Sequence, residues 1–271
     1  MTTLELMSWI CAGVMFGAFA VEAIISYFLL RNGRYELGDT FLNIGITLGY
    51  VAMRVFVGAA ISLVLVGVYE LTPLRWSMEH WWHWVILYVL NDLLYYWSHR
   101  ASHVYRFMWA SHAVHHNSPV MNLSTGLRNS WVGMFVDWIF FVPPIVLGFH
   151  PLALAACAAV MSTLDFLTHT PYVGKLGVLD KIFNTPSNHR VHHAMNSQYV
   201  DRNMGGSLII WDRMFGTYAA EVEKPIYGVD PMPVRRYNPF YLELYLWGAL
   251  LRDWFSRTPA AAASGAPAAR T

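Results

Sequence analysis

Charge is what this sequence has least of. Of its 271 residues only 13% are Asp, Glu, Lys or Arg, while 56% are hydrophobic. A soluble domain carries about 25% charged residues, so the deficit points away from solution and toward a membrane. The formal net charge is +1, which gives no electrostatic footprint for nucleic acid and sets that partner aside. Cysteine is nearly absent. The two present, Cys11 and Cys157, lie inside apolar runs, which excludes a disulfide framework and a thiolate metal site.

What is abundant is long apolar sequence. A membrane-crossing helix needs about 20 mostly apolar residues, and five stretches approach that: 4–30, 40–71, 81–97, 131–149 and 151–168. The reading is an all-α, multi-span membrane protein of about four to five spans, with a cytoplasmic helical cap. Arg54, inside the second run, is read as structural. The last two runs are separated only by His150 and Pro151, so they form a tight hairpin, either a double crossing or a re-entrant pair. Ala18-Phe19-Ala20 has the look of a signal-peptide cleavage site, but Glu5 and the lack of Lys or Arg before it favour an uncleaved first span. Short loops rich in Lys and Arg stay cytoplasmic. Arg31 and Arg34, then Arg100, Arg106 and Arg128, then Lys175, Lys181, Arg190, Arg202 and Arg213 stand against Arg75 alone on the other side. That alternation places 98–130 and 169–271 on the cytoplasmic face.

Those two segments hold most of the histidines. His99 and His103 stand at i and i+4; His112, His115 and His116 at i, i+3 and i+4; His189, His192 and His193 repeat the second pattern. Residues three and four apart share a helix face, so each cluster presents its imidazoles in one direction. Neutral imidazole binds first-row metals. His169, at the end of the fifth run, is a ninth candidate. Nine ligands exceed the four to six positions of one ion, and two metals are the economical reading. His80, His83 and His150 are read as structural. Asp92, Asp165 and Asn188 are candidates to hold ligating rings, as carboxylates and amides do behind metal sites. Asn122, Ser124, Thr125 and Arg128 are candidate substrate contacts.

Residues 1–80 are read as N-terminal spans, 81–220 as the catalytic domain, 221–257 as an interfacial segment, and 258–271, rich in Ala and Pro, as a disordered tail.

The ordered set His99-x-x-x-His103, His112-x-x-His115-His116, His169 and His189-x-x-His192-His193 resembles the fatty acid hydroxylase and sterol desaturase superfamily. The stretches YYWSHRASH, NLSTGLRNS, NTPSNHRVHH and GGSLIIWDRMFGTY look most like its alkylglycerol monooxygenase branch, although Val104 stands where animal members of that branch carry an acidic residue. The resemblance implies a di-iron centre held by the nine histidines, molecular oxygen as co-substrate, and hydroxylation or desaturation of an unactivated C–H bond of a lipid drawn from the bilayer. No haem or iron–sulfur motif accompanies the boxes, so a separate donor protein or a diffusible reductant is expected to supply electrons. A membrane zinc hydrolase is the alternative, weakened by the lack of an HExxH base; a metal transporter stands further behind, since the boxes lie at the ends of spans.

Overall fold

A computed structural model describes residues 3–30 and 34–256. The tail at 258–271 and Arg31 lie outside the described residues. The chain is all-helical, and the described residues form no strand, only two isolated β-bridges, Phe183 with Leu208 and Ala194 with Tyr227.

Helix α1 (Thr3–Ile24) runs on through a π-helical turn at Ile25–Leu30; α2 covers Leu37–Leu71, α3 Trp81–Val104 and α4 Arg106–His116. The short α5 (Met134–Asp137) and α6 (Val142–Val146) precede α7 (Pro151–Thr168), α8 (Pro186–His192), α9 (Ile210–Phe215) and α10 (Pro239–Ser256). Among the described residues three helical stretches are long and apolar enough to cross a membrane: Glu5–Leu30, Leu37–Leu71 and Pro151–Thr168. The first two have few or no fully buried residues along their apolar stretch, whereas α7 is the most enclosed of the three. Arg54 is exposed on α2.

The fourth apolar run is not one helix. Met134–Val146 is short, about 20 Å at the helical rise, and it breaks at Trp138–Phe141 into a 3-10 turn before Pro143 and Pro144. It is nevertheless bonded to α2 near both of its own ends. At one end the Trp131 indole donates to the Ile46 carbonyl (2.8 Å), and at the other the Thr72 hydroxyl donates to the Val146 carbonyl (2.9 Å). Broken backbone is tolerated at membrane depth only when protein covers it, and α2 and α3 cover it here. Leu87, Ile145, Phe149, Leu154 and Cys157 form the core at the α7 start. His83 and His150 also sit at that end, bonded to the Ser77 carbonyl and the Leu152 amide. His80 precedes α3 and stacks on Trp82.

At the other end the first two helices are tied to the cap by buried polar groups. Arg128 is fully buried. Its guanidinium donates to Asp39 (2.7 Å), to Asn43 (2.6 Å) and to Asn117. Asp39 also accepts from Ser118 (2.7 Å), and Asn43 donates to Ser124 (2.8 Å), which donates to Asn122 (2.6 Å). Glu22 of α1 accepts from the Leu123 amide (2.7 Å), from Tyr35 (2.8 Å) and from Thr170. Residues from four parts of the chain therefore meet at this end, and nearly all their buried polar groups are hydrogen-bonded, the Asn117 amide nitrogen being an exception.

Arg128→Met would leave Asp39 charged and buried without its partner. Removal of one member of a buried pair costs about 3–5 kcal/mol, so a clear fall in the apparent unfolding temperature in detergent is expected, larger than for Arg54→Met on the exposed face of α2.

Candidate metal centre

The cap folds so that nine imidazoles converge. Helices α3 and α7 both end at it, carrying His99 and His103 on one and His169 just past the other, while α4 and α8 lie across the top with the two His-x-x-His-His patterns. The histidines fall into two groups, His99, His103, His112, His116 and His192 in one, and His115, His169, His189 and His193 in the other; within each group one nitrogen per ring lies within 4.8 Å of the others. Neither repeated pattern stays whole. Helix α4 sends His112 and His116 to the first group and His115 to the second; α8 and its cap send His192 to the first and His189 and His193 to the second.

Five of the nine rings are oriented from behind. Nδ1 of His99 faces the Met204 carbonyl (2.8 Å), that of His115 the Arg128 carbonyl (3.0 Å), that of His169 the Asp165 carbonyl (3.0 Å) and that of His192 the Arg202 carbonyl (3.0 Å). His103 Nδ1 faces the Asp201 carboxylate at 3.2 Å. Carbonyl and carboxylate oxygens only accept, so Nδ1 of these five rings donates and carries the proton. The Nε2 lone pairs are left to point inward. Burial, reinforced by repulsion among neighbouring rings, lowers His112, His116, His189, His192 and His193 well below the ordinary histidine range. Burial likewise lowers His115, and brings His99 to about 3 and His169 to about 4. These imidazoles are neutral at pH 7, which is the ligating form. Nε2 of His103 and of His192 is buried with no partner.

One loop supplies three of these supports. Asp201 and Asn203 both adopt left-handed backbone, each at φ 57°, a conformation open to Asn and Asp but costly for most residues. That turn aims the Asp201 carboxylate, the Arg202 carbonyl and the Met204 carbonyl at three rings. The Asn203 side chain fixes it, donating to the carbonyls of Asn188 (3.0 Å) and Ala219 (2.8 Å) and accepting from the Ala219 amide (2.8 Å). Asp212 accepts from the amides of Met204 and Gly205, each at 2.7 Å. Gly126 allows the turn at 125–127 to press on the His169 ring; a Cβ there would lie 2.9 Å from its Nδ1.

The residues expected to hold the rings stand elsewhere. The Asp92 carboxylate accepts from the Ser207 amide (2.7 Å), the Leu208 amide (3.2 Å) and the Trp211 indole (2.8 Å), which fastens the post-box loop to α3. Asp165 supports His169 with its main-chain carbonyl, not its carboxylate. Asn188 donates to the Asp180 and Phe183 carbonyls and bonds no ring. Asn122, Ser124, Thr125 and Arg128 are buried in the network that ties α1 and α2 to the cap, where a lipid headgroup has no access. Sequence reasoning assigned Asp201, Asn203 and Asp212 no part at the site, because Asp201 meets a ring nearly a hundred residues away and the other two act on main-chain groups that no spacing reveals. The signal available was the Asp-x-Asn run ahead of Gly205-Gly206.

Residues 84–217 match the model of the fatty acid hydroxylase family. The chain carries a fatty acid hydroxylase domain. Among curated proteins it is similar to "Alkylglycerol monooxygenase" of Homo sapiens, 40% identical over 177 residues, 65% of this chain and 39% of that protein. The Danio rerio protein of the same name is 43% identical over 170 residues, 61% of this chain and 38% of its own length. "Ornithine lipid hydroxylase OlsE" of Rhizobium tropici is 29% identical over 201 residues, 67% of this chain and 58% of that protein. The chain thus spans well under half the length of the alkylglycerol monooxygenases it matches. No solved structure matches it.

Asn203→Ala removes three buried hydrogen bonds and places a β-carbon side chain without polar compensation at positive φ. At about 1 kcal/mol per bond, a loss of about 2–4 kcal/mol is expected. Apparent unfolding temperature in detergent measures it, and Asn203→Gly, which relieves the backbone alone, is expected to lose less.

Proposed function

We propose that the chain is a membrane-bound, iron-dependent lipid monooxygenase of the alkylglycerol monooxygenase type. The observation that carries this reading is the pair of all-imidazole groups, five of whose rings turn Nδ1 to an acceptor and Nε2 inward, in a chain that carries a fatty acid hydroxylase domain. His99, His103, His112, His116 and His192 would hold one iron, and His115, His169, His189 and His193 the other. The fit rests on the donors themselves: imidazole suits iron, the rings are uncharged, and two inward nitrogens are buried with no other partner. Bound iron would supply activation of molecular oxygen and cleavage of a lipid C–H bond, with hydroxylation or desaturation as the outcome.

The protein's own part is positional. Main-chain carbonyls hold the tautomers, and the buried clamp around Arg128 keeps the cap seated on α1 and α2. The surrounding helices keep water from the rings. A hydroxylation that inserts one oxygen atom of O2 and reduces the other to water consumes two external electrons and two protons. A separate donor protein or a diffusible reductant would provide the electrons. The lipid would enter laterally from the bilayer.

Residues at the cap end carry nearly all the loop Lys and Arg, and Arg75 alone marks the opposite end. The positive-inside rule then puts the histidines on the cytoplasmic side of a five-crossing chain, with 131–149 counted as a crossing. The catalytic domain would comprise residues 81–220, completed by the first two helices.

Purified protein is expected to hold about two irons per chain and to consume oxygen when supplied with reductant and lipid extract. One tightly bound zinc and no oxygen uptake would overturn the reading. His115→Ala and His192→Ala should each lose about half or more of the metal, whereas His83→Ala at the opposite end should retain all of it. Glu223→Cys, in the exposed cap, should react with a membrane-impermeant maleimide only in inside-out vesicles.

A further inference from the structure

Between α7 and α8 the chain exposes Leu176, Val178, Leu179, Ile182 and Phe183, Val178 being 69% exposed. This segment is held low against the helices. The Asn184 amide donates to the Ser207 carbonyl (2.9 Å), the Ile209 amide to the Ile182 carbonyl (3.0 Å), and the Arg213 guanidinium to the Lys181 carbonyl (3.0 Å). The 207–213 limb is fastened in turn to α3, by the Asp92 carboxylate and by a 2.6 Å bond between the Ser207 and Tyr88 hydroxyls. Trp81 and Trp82 open α3 at its far end, as aromatic residues do at a membrane face. From Trp81, Tyr88 and Asp92 stand about 10 and 16 Å along the axis, and His99 about 27 Å. The hydrocarbon core is about 30 Å thick, so the histidines lie near its cap-side edge and whatever is fastened to Tyr88 and Asp92 lies within it. Nearer α7 the segment reaches the first span, where the Tyr172 and Ser26 hydroxyls bond at 2.6 Å beside the exposed Phe28 and Leu29.

Main chain can lie in lipid only where its polar groups are bonded within the protein, and this segment is bonded in that way. The amides of Leu179, Lys181, Ile182 and Phe183 donate to carbonyls of Leu176, Val178 and Leu179, and Asn188 donates to the carbonyls of Asp180 (2.9 Å) and Phe183 (3.0 Å). Its one acid is turned inward as well: the Asp180 carboxylate accepts from the Leu176 amide (2.8 Å) and the Thr185 hydroxyl (2.5 Å). A loop facing water needs neither device. Lys175 and Lys181 are exposed, and a lysine stem lies along apolar surface while its ammonium reaches the level of lipid phosphates. We propose that residues 172–183, with Met214 on the paired limb, form a ledge embedded in the cap-side leaflet, its apolar side chains among acyl chains and its two lysines at the phosphates. A soluble partner could meet a surface at the depth of Tyr88 only by entering the bilayer. The ledge anchors the cap without crossing the membrane. The inference needs the helices to cross a membrane, and it is independent of the reaction the histidines perform.

The test places an NBD fluorophore on Val178→Cys in the full-length, metal-loaded protein, with Cys11→Ala to leave only the buried Cys157 besides. The protein is reconstituted at low density into phosphatidylcholine–phosphatidylglycerol vesicles, and two quenchers are compared: phosphatidylcholine with a doxyl group on its acyl chain, and aqueous iodide present on both sides. Val55→Cys on the exposed face of α2 is the lipid reference, and Val222→Cys, 75% exposed in the cap, is the water reference. Doxyl lipid is expected to quench the Val178 label to within about twofold of the Val55 label, and iodide to quench it at least about threefold less than the Val222 label. Met214→Cys, at a position 66% exposed on the other limb, should read the same and stands in if the first variant misfolds; unchanged metal content shows that the cap is intact. Quenching by iodide and not by doxyl lipid would overturn the ledge and leave a water-facing surface open to a soluble partner. Protection from both quenchers, with self-quenching relieved by dilution with unlabelled protein, would overturn it in favour of a second copy of the chain. Neither result would touch the monooxygenase reading, which stands or falls on iron and oxygen uptake.

Discussion

Everything at the cap depends on bringing nine imidazoles together and on fixing which nitrogen of a ring faces its neighbours. A histidine ring offers two nitrogens, and only the proton on one decides which of them can ligate. Here the choice is made by acceptors that cannot donate: carbonyls of Met204, Arg128, Asp165 and Arg202, and the Asp201 carboxylate. Burial then removes the alternative of a charged ring. Because four of those five acceptors belong to loops and only Asp165 to a helix, the loops have to be as firm as the helices. The left-handed turn at Asp201–Asn203, the Asp212 carboxylate beneath it and the Arg128 clamp supply that firmness.

Much of this was legible in the sequence, and the reason is periodicity. Apolar runs announce spans because their length is set by the bilayer, and His pairs at i, i+3 and i+4 announce a shared face because the helix fixes the angle. The nine histidines that the spacing singles out are the ones that converge. The all-helical, multi-span architecture follows from the same signal, as does the separation of His80, His83 and His150 from the cluster.

What was not legible is carried by main-chain atoms or by partners far away in sequence. Asp92 and Asp165 sit at helical intervals from histidines, and a carboxylate behind a ring is a sound expectation, yet one fastens a loop and the other lends its carbonyl. Asn122, Ser124, Thr125 and Arg128 look like polar residues at a membrane surface. Arg128 and Ser124 pair with Asp39 and Asn43, some eighty residues earlier on α2, and no local pattern reveals that pairing. The division of each His-x-x-His-His pattern between two groups is also a tertiary property. It depends on how α4 and α8 are rotated against each other.

That division makes the two groups mechanically inseparable. Helix α4 lends rings to both, and so do α8 and its cap, so a small roll of either helix displaces donors on both sides at once. Occupancy of one group would restrict the other before anything bound there. The pair behaves as a single hinge-pin through the cap, drawing α3, α4, α7 and α8 into one rigid body whose rigidity is graded by how much of the pin is filled.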